Sequence, residues 1–431
     1  MTTYAEFLAS KERRNPDAGI TIDATDLHPS LFAFQRDLVA WAAKKGRAAL
    51  WADTGLGKTR MQLEWARVMG RRTIIIAPLA VTQQTIEEAA AIGTDVAYAR
   101  NTDEVTGTIT ITNYERADDF DPPHFGAVVL DESSILKNFE GKTRSSLIRQ
   151  WANTPARLAC SATPAPNDVT ELANHAEFLG VMPRNEMLAA YFVHDDEGWR
   201  PKRHAVGAMY KWMAGWAAAV RRPSDMGHPE EDAAYDLPPI TYTQHSVGVN
   251  DAPEGMLFAT DLGGIGGRSK VRRSTLTARC ERTAELVNAE REPWVVWCGL
   301  NDEAAMLCDL IPGAVNVQGN DTPEAKAERL MAFAHGEYRV LITKPSIAGM
   351  GLNFQHAAHM AFTGLSDSYE AYYQAVRRCW RFGQTRPVQV HIVVSELEQQ
   401  IVANVRNKEA EAQKMTAELV NAMHIKETAN V

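Results

Sequence analysis

Several markers of secreted, membrane-bound or metal-stapled proteins are missing from this sequence. Its five cysteines (Cys160, Cys280, Cys298, Cys308, Cys379) stand singly, with no Cys-x-x-Cys pair. That pattern argues against a disulfide framework and a structural zinc site, and for a reducing compartment. No apolar run is long enough to cross a bilayer; the run 73–81 reads as a buried strand and its exit. The first residues lack the basic-then-apolar pattern of a secretory signal, so a cytoplasmic setting is expected. An excess of positive charge is also absent. The net charge is −9, from 45 Lys and Arg against 54 Asp and Glu, which excludes a protein that grips polyanions over its whole surface. Any such contact must be local, along a groove. There is no internal repeat and no low-complexity segment. What is present is a chain of 431 residues, 45% hydrophobic and 23% charged, with room for two or three ordinary domains.

The pattern along the chain divides it. Residues 1–27 read as an N-terminal extension, with a short helix over 4–14. From 28 to 164, apolar strands (48–51, 73–77, 108–112, 126–130, 157–160) alternate with helical patterns, the mark of a parallel sheet covered on both faces. From 165 to 240 the strand signal fades into helical, Trp- and Met-containing segments, including 209–220, where Trp212 and Trp216 share a face and read as core. A connector follows over 241–274, containing Gly263-Gly-Ile-Gly-Gly267 and the basic run 268–273. That run is read mainly as a solvated loop, with phosphate contact as the alternative. The alternation restarts over 275–395, with strands at 294–298, 314–317, 339–343, 358–362 and 388–394, and a charged helix closes the chain over 396–431. The expected architecture is α/β: two parallel-sheet lobes with a helical insertion between them. The segment His194-Asp195-Asp196-Glu197 reads as a solvated loop.

Three clusters carry chemistry. Ala52-Asp-Thr54-Gly55-Leu-Gly57-Lys58-Thr59, fed by an apolar strand and followed by a helical run, is a phosphate-binding loop. Gly55 and Gly57 let successive N–H groups face a phosphate chain at a helix N-terminus. Lys58 can reach the β/γ-phosphates and the Thr59 hydroxyl can bind Mg²⁺. The usual first glycine is replaced by Ala52. Next, a second strand delivers Asp131 and Glu132 at its C-terminal end, where ligands bind in open parallel sheets. Asp131 is suited to hold Mg²⁺, and Glu132 to orient and deprotonate an attacking water. The strand ending in Ser161 and Thr163 suggests a polar relay from this point. Finally, if 373–384 is helical, Gln374, Arg378 and Arg381 share a face and Arg377 points elsewhere. Two guanidiniums beside a glycine exit can then serve as arginine fingers toward a γ-phosphate.

In combination these segments resemble a superfamily-two helicase, most closely the chromatin-remodelling, Swi/Snf-like ATPase branch. The segment LFAFQRDLVAWA (31–42) is similar to the family's adenine-recognising glutamine segment, which implies a nucleotide contact at Gln35. ADTGLGKT (52–59) resembles motif I, IIIAPLAVTQQ (74–84) motif Ia, and ITNYE (111–115) motif Ib. LDESSILKN (130–138) resembles motif II, SATPAPND (161–168) motif III, AGMGLNFQ (348–355) motif V, and QAVRRCWRFGQTRPVQVH (374–391) motif VI. Arg221-Arg222 followed by Leu237-Pro-Pro239 is similar to the family's link between lobes. Two departures stand out: motif II continues as Ser133-Ser134 where the family commonly has Ala-His, and 343–347 does not match.

The resemblance implies two RecA-like lobes of the P-loop NTPase type, with ATP and Mg²⁺ hydrolysed between them. Lys58, Asp131, Glu132, Arg378 and Arg381 would be catalytic. Gln35, Thr54, Gly55, Gly57, Thr59 and Gln374 would bind nucleotide. Ser161 and Thr163 would couple hydrolysis to movement, and Pro78, Thr82, Thr112, Gly349 and Asn353 would touch nucleic acid through amides and small hydroxyls. The expected activity is that of a DNA-stimulated ATPase, a translocase or helicase acting as a monomer. An ATP-gated DNA clamp that recruits a DNA-processing or DNA-modifying partner protein, and an RNA helicase, are the alternatives. Compact phage and prophage helicase-like proteins share this flavour, which places the expected setting in a bacterial or phage-infected cytoplasm.

Overall fold

The computed structural model describes residues 16–138, 140–196, 198–248, 272–347 and 353–428. The helix expected over 4–14, the glycine-rich stretch 263–267, residues 268–271 of the basic run and Gly349 lie outside the described residues. The chain divides into two compact units. One runs to Tyr235 and takes in the chain from Ala410 on; the other is Asp236–Glu409.

The first unit is built on a seven-stranded, wholly parallel sheet. In chain order its elements are α1 (Ala33–Lys45), β1 (Arg47–Ala52), α2 (Lys58–Val68), β2 (Thr73–Ala77), α3 (Leu79–Ala91), β3 (Val96–Tyr98), β4 (Ile109–Asn113), β5 (Ala127–Asp131), α4 (Lys142–Gln150), β6 (Ala156–Cys160), α5 (Leu172–Leu179), α6 (Arg184–Tyr191), β7 (Phe192–Asp195), β8 (Gly198–Pro201), α7 (Val206–Met213) and β9 (Ala217–Val220). The sheet order is β3-β4-β2-β5-β6-β1-β9. Its strands read as unbroken apolar runs because both faces are covered: Ile74 and Ile76 join the core on one side, Ile75 the core on the other.

Three expectations need correction here. Residues 209–220 are not one helix, since α7 stops at Met213 and Ala217–Val220 adds an edge strand beside β1, in register Ala49↔Ala217 to Ala52↔Val220. Alanine favours helix in isolation, but small side chains also fit a buried strand, and pairing with β1 decides the outcome. The segment from His194 is not a plain loop either. His194 and Asp195 lie in β7, which pairs antiparallel with β8, and Asp195 binds Arg200. The stretch expected as helical insertion therefore contributes a strand to the first sheet. Trp216 and Trp212 do pack in the core.

The second unit holds a six-stranded parallel sheet, ordered β10-β15-β14-β11-β13-β12. Its elements are β10 (Ile240–Val247), α8 (Leu276–Asn288), β11 (Trp294–Cys298), α9 (Asn301–Leu310), β12 (Ala314–Val317), α10 (Pro323–Ala334), β13 (Val340–Thr343), β14 (His359–Thr363), α11 (Tyr369–Val376), β15 (Val388–Ser395) and α12 (Gln399–Thr428). The third correction is β10. It occupies the start of the expected connector and pairs with β15 over its whole length, Ile240↔Val388 to Val247↔Ser395. Its mixed, largely exposed side chains (an edge strand) concealed it from a search for apolar runs. The apolar stripe of α12 is covered within the chain: Ile401 and Val405 are buried, and Met415 and Leu419 join the first unit's core. No helix among the described residues is long and apolar enough to cross a membrane.

Candidate active site

In the first unit the phosphate loop leaves β1 and enters α2 with Gly57 as its N-cap. Ala52, where the motif usually begins with glycine, is still strand: it pairs with Val220 and is buried, so no turn conformation is demanded of it. Asp53 N–H continues that pairing, donating to the Val220 carbonyl at 2.9 Å. The turn falls later, at Gly55 (φ 92°) and Gly57 (φ 78°), both in the left-handed region. Thr54 N–H donates to Asp53 Oδ1 at 2.6 Å. Lys58 Nζ donates to the carbonyls of Ala52 (2.8 Å) and Asp53 (3.2 Å), and so lies folded over the loop. Thr59 follows in the first turn of α2. Gln35, expected at a base, is 3% exposed, and both ends of its amide are engaged by backbone: Nε2 donates to Leu56 O at 2.8 Å and Oε1 accepts from Phe32 N–H at 2.9 Å. A Cβ at Gly57 would come within 2.3 Å of Gln35 Nε2, so Gln35 is a buttress of the loop.

The carboxylates stand two strands away, beyond β6 in the sheet order. Asp131 ends β5. Its carbonyl accepts from the Tyr114 hydroxyl (2.7 Å) and its Oδ1 from Gln62 Nε2 (2.7 Å). Burial, and next the charge of Glu132, push the Asp131 carboxyl up to about 6; the Gln62 hydrogen bond and Lys58 act in the opposite direction. Glu132 is the only non-glycine residue with positive φ among the described residues (φ 58°, ψ 57°). Its Oε1 accepts from Ser161 Oγ at 2.6 Å and Ser134 Oγ at 3.1 Å, while Ser161 Oγ accepts from Thr163 N–H at 3.0 Å. The structure thus brings Lys58, Thr59, Asp131, Glu132, Ser161 and Thr163 to one sheet edge. It adds Gln62, Tyr114 and Ser134, which sequence reasoning missed. Only Gln62 left a signal, four residues after Lys58 on the same helix.

A hydroxyl at Thr59 and one carboxylate at Asp131 are hard oxygen donors of the kind Mg²⁺ takes alongside phosphate oxygens. A carboxyl that burial holds protonated toward neutral pH is one that a cation would ionise, so the donor set fits. No group of three or more His, Cys, Asp or Glu among the described residues offers an all-protein metal cage.

The expected nucleic-acid contacts fare differently. Pro78 precedes α3 and is partly exposed. Thr82 is 7% exposed and its hydroxyl donates to Leu79 O at 2.7 Å; Thr112 is fully buried within β4. Neither hydroxyl is presented at the surface.

In the second unit the shared helical face of Gln374, Arg378 and Arg381 does not form. The helix α11 ends at Val376, and Arg378 and Arg381 lie in the turns beyond it. The chain is diverted by its packing: the Trp380 indole N–H donates to Pro238 O at 2.7 Å, and Gly383 adopts φ 88°. Arg377 is the buried one, its guanidinium 4.5 Å from the Trp380 ring centre and 5.3 Å from that of Tyr373. Asn353, expected at nucleic acid, accepts instead from Arg381. Gln384 Nε2 donates to the carbonyls of Gln355 (2.9 Å), Ala357 (3.1 Å) and Cys379 (3.2 Å), and Phe354 N–H donates to Arg378 O at 2.9 Å. The segments 353–357 and 378–384 therefore form one layer at the edge of this sheet.

Residues 280–383, from within α8 to the glycine of that layer, match the helicase conserved C-terminal domain. The helicase match ends one residue before Gln384, so it spans both Arg378 and Arg381. No curated protein matches the sequence. The SWI2/SNF2 ATPase core of Sulfolobus solfataricus, solved in complex with dsDNA, is similar at 16% identity and a TM-score of 0.44, over 92% of this chain and 96% of that one.

Proposed function

We propose that the chain is an ATP-driven nucleic-acid motor: a DNA-stimulated ATPase that translocates along DNA or unwinds it. One observation carries the reading. The carboxylate of Glu132 is held by Ser161 and Ser134 at the same sheet edge as the phosphate loop, in a chain whose residues 280–383 match the helicase conserved C-terminal domain. In this proposal Lys58 turns from the loop carbonyls to the β/γ-phosphates, and the N–H groups around Gly55 and Gly57 receive the phosphate oxygens. Thr59 and Asp131 would hold Mg²⁺, which supplies charge neutralisation on the phosphates. Glu132 orients the attacking water, and Arg378 and Arg381 stabilise the charge that develops on the transferred phosphoryl group. Ser161 and Thr163 transmit the change at Glu132. With Thr82 and Thr112 internal, backbone amides and the surroundings of Pro78 take over the contacts to the polymer, which a net charge of −9 requires to be local.

The test is steady-state ATP turnover without polymer and with single-stranded DNA, duplex DNA, forked DNA and RNA. Turnover that rises with DNA and vanishes in Lys58→Ala is the expected result. Stimulation by RNA alone would replace DNA with RNA, and a Lys58→Ala protein as active as the parent would end the proposal.

A further inference from the structure

Glu132 occupies a backbone conformation that side-chain-bearing residues avoid, so something downstream must hold it there. The residues that follow form a 3-10 turn, Ser133–Lys137, in which Ser133 and Ser134 are buried. Two adjacent residues of α5 grip that turn. His175 Nε2 lies 3.1 Å from Ser133 Oγ, and Asn174 Nδ2 donates to Leu136 O at 2.8 Å. His175 is 0% and Asn174 1% exposed. Polar groups buried this deeply are costly unless partnered, and each places one polar atom, His175 Nε2 and Asn174 Nδ2, on the same five-residue turn. The His175 ring also packs edge-on against Trp51, with centroids 5.5 Å apart and planes at 83°. Trp51 is the residue of β1 that precedes Ala52. One imidazole therefore touches both the strand that carries the phosphate loop and the turn that carries the carboxylate. Burial pushes His175 down to about 4, so the ring meeting Ser133 is neutral at ordinary pH.

We infer that His175, supported by Asn174, is a positioning residue for ATP hydrolysis, acting through Ser133 to hold Glu132 in its left-handed conformation and in register with the phosphate loop. The inference rests on the ATPase reading above. His175 reaches the turn from a helix 42 residues along the chain. It makes no claim on the nucleotide itself, so its loss falls on the chemical step and spares nucleotide binding.

The experiment uses the full chain with ATP and compares Ser133→Ala, His175→Leu, His175→Gln and the Ser133→Ala/His175→Leu double variant. Losing one hydrogen bond that aims a charged group is expected to lower kcat about tenfold in Ser133→Ala and His175→Leu. KM and the affinity for a fluorescent ADP analogue stay unchanged. His175→Gln, which can still bond Ser133, recovers most of the rate, and the double variant is no slower than His175→Leu, because both remove the same contact. Ser133→Ala leaves the aromatic packing intact and keeps the test valid should His175→Leu fold poorly. An unchanged kcat in Ser133→Ala, losses that multiply in the double variant, or parallel changes in kcat and nucleotide affinity would overturn the inference. Glu132→Gln is the control that separates the two claims. If it is inactive while Ser133→Ala is normal, only the positioning role falls; if it turns over like the parent, the ATPase reading falls with it.

Discussion

The first unit surrounds its acidic pair with neutral donors, whereas the second lays long cations along loops. Around Asp131 and Glu132, the side chains of Gln62, Tyr114, Ser134 and Ser161 come from four different parts of the unit and all donate toward carboxylate or carbonyl oxygen. In the turns that follow the end of α11, Arg377 lies over aromatic faces and Arg381 donates to the Asn353 amide. A carboxylate at a strand end has little reach, so its direction must be set by what surrounds it. A guanidinium carries its charge on a flexible stem, and the backbone need only place the stem. The first unit is thus preorganised at the level of side-chain hydrogen bonds, the second at the level of loop packing.

This contrast can be broken most decisively at the arginines. Arg378→Ala is expected to lower DNA-stimulated kcat by about 10³–10⁵, the range of an arginine finger, with ATP affinity little changed. Arg377→Ala, losing a buried guanidinium stacked on Trp380, should instead lower the melting temperature and leave the rate per folded molecule nearly intact. The reverse pattern in kinetics and thermal unfolding would exchange the roles of these neighbours. A smaller effect is expected in the first unit, from pH. His175 is held at about 4 against an ordinary 6.5, so between those values the unfolded chain takes up a proton that the folded chain does not. The stability it contributes is complete above 6.5 and is lost as pH falls through 4. Urea unfolding of the parent should therefore lose about 2 kcal/mol more than His175→Gln between pH 6.5 and pH 5. Equal losses would place the ring in a wetter setting. The smallest effect is local: Gly57→Ala forces a left-handed alanine and displaces Gln35. Denaturant titration should show about 1–2 kcal/mol lost.

Much of this was legible in the sequence. The phosphate loop, the Asp131-Glu132 pair and the apolar inner strands of both sheets announce themselves because each is a local pattern: glycines at fixed offsets, or a short apolar run, in one case ending in acids. The resemblance to helicase motif VI located the layer around Arg378, but not its shape. Helical spacing assumed that α11 continues, and the contacts of Trp380 with Pro238 and the turn at Gly383 end it. Thr82 and Thr112 looked available as hydroxyls and proved internal, because exposure is a property of the packed sheet.

By itself, then, the sequence determined the chemistry on offer, since a phosphate loop and a carboxylate-tipped strand need only neighbours in the chain. Tertiary structure decided which groups aim that chemistry. It made Ala217–Val220 a strand, enlisted Gln35 as a brace and set His175 against Ser133. Such contacts join residues far apart in the chain, and no period or spacing encodes them. They exist only when the sheet brings its strand ends together and leaves buried polar groups no partner but one another.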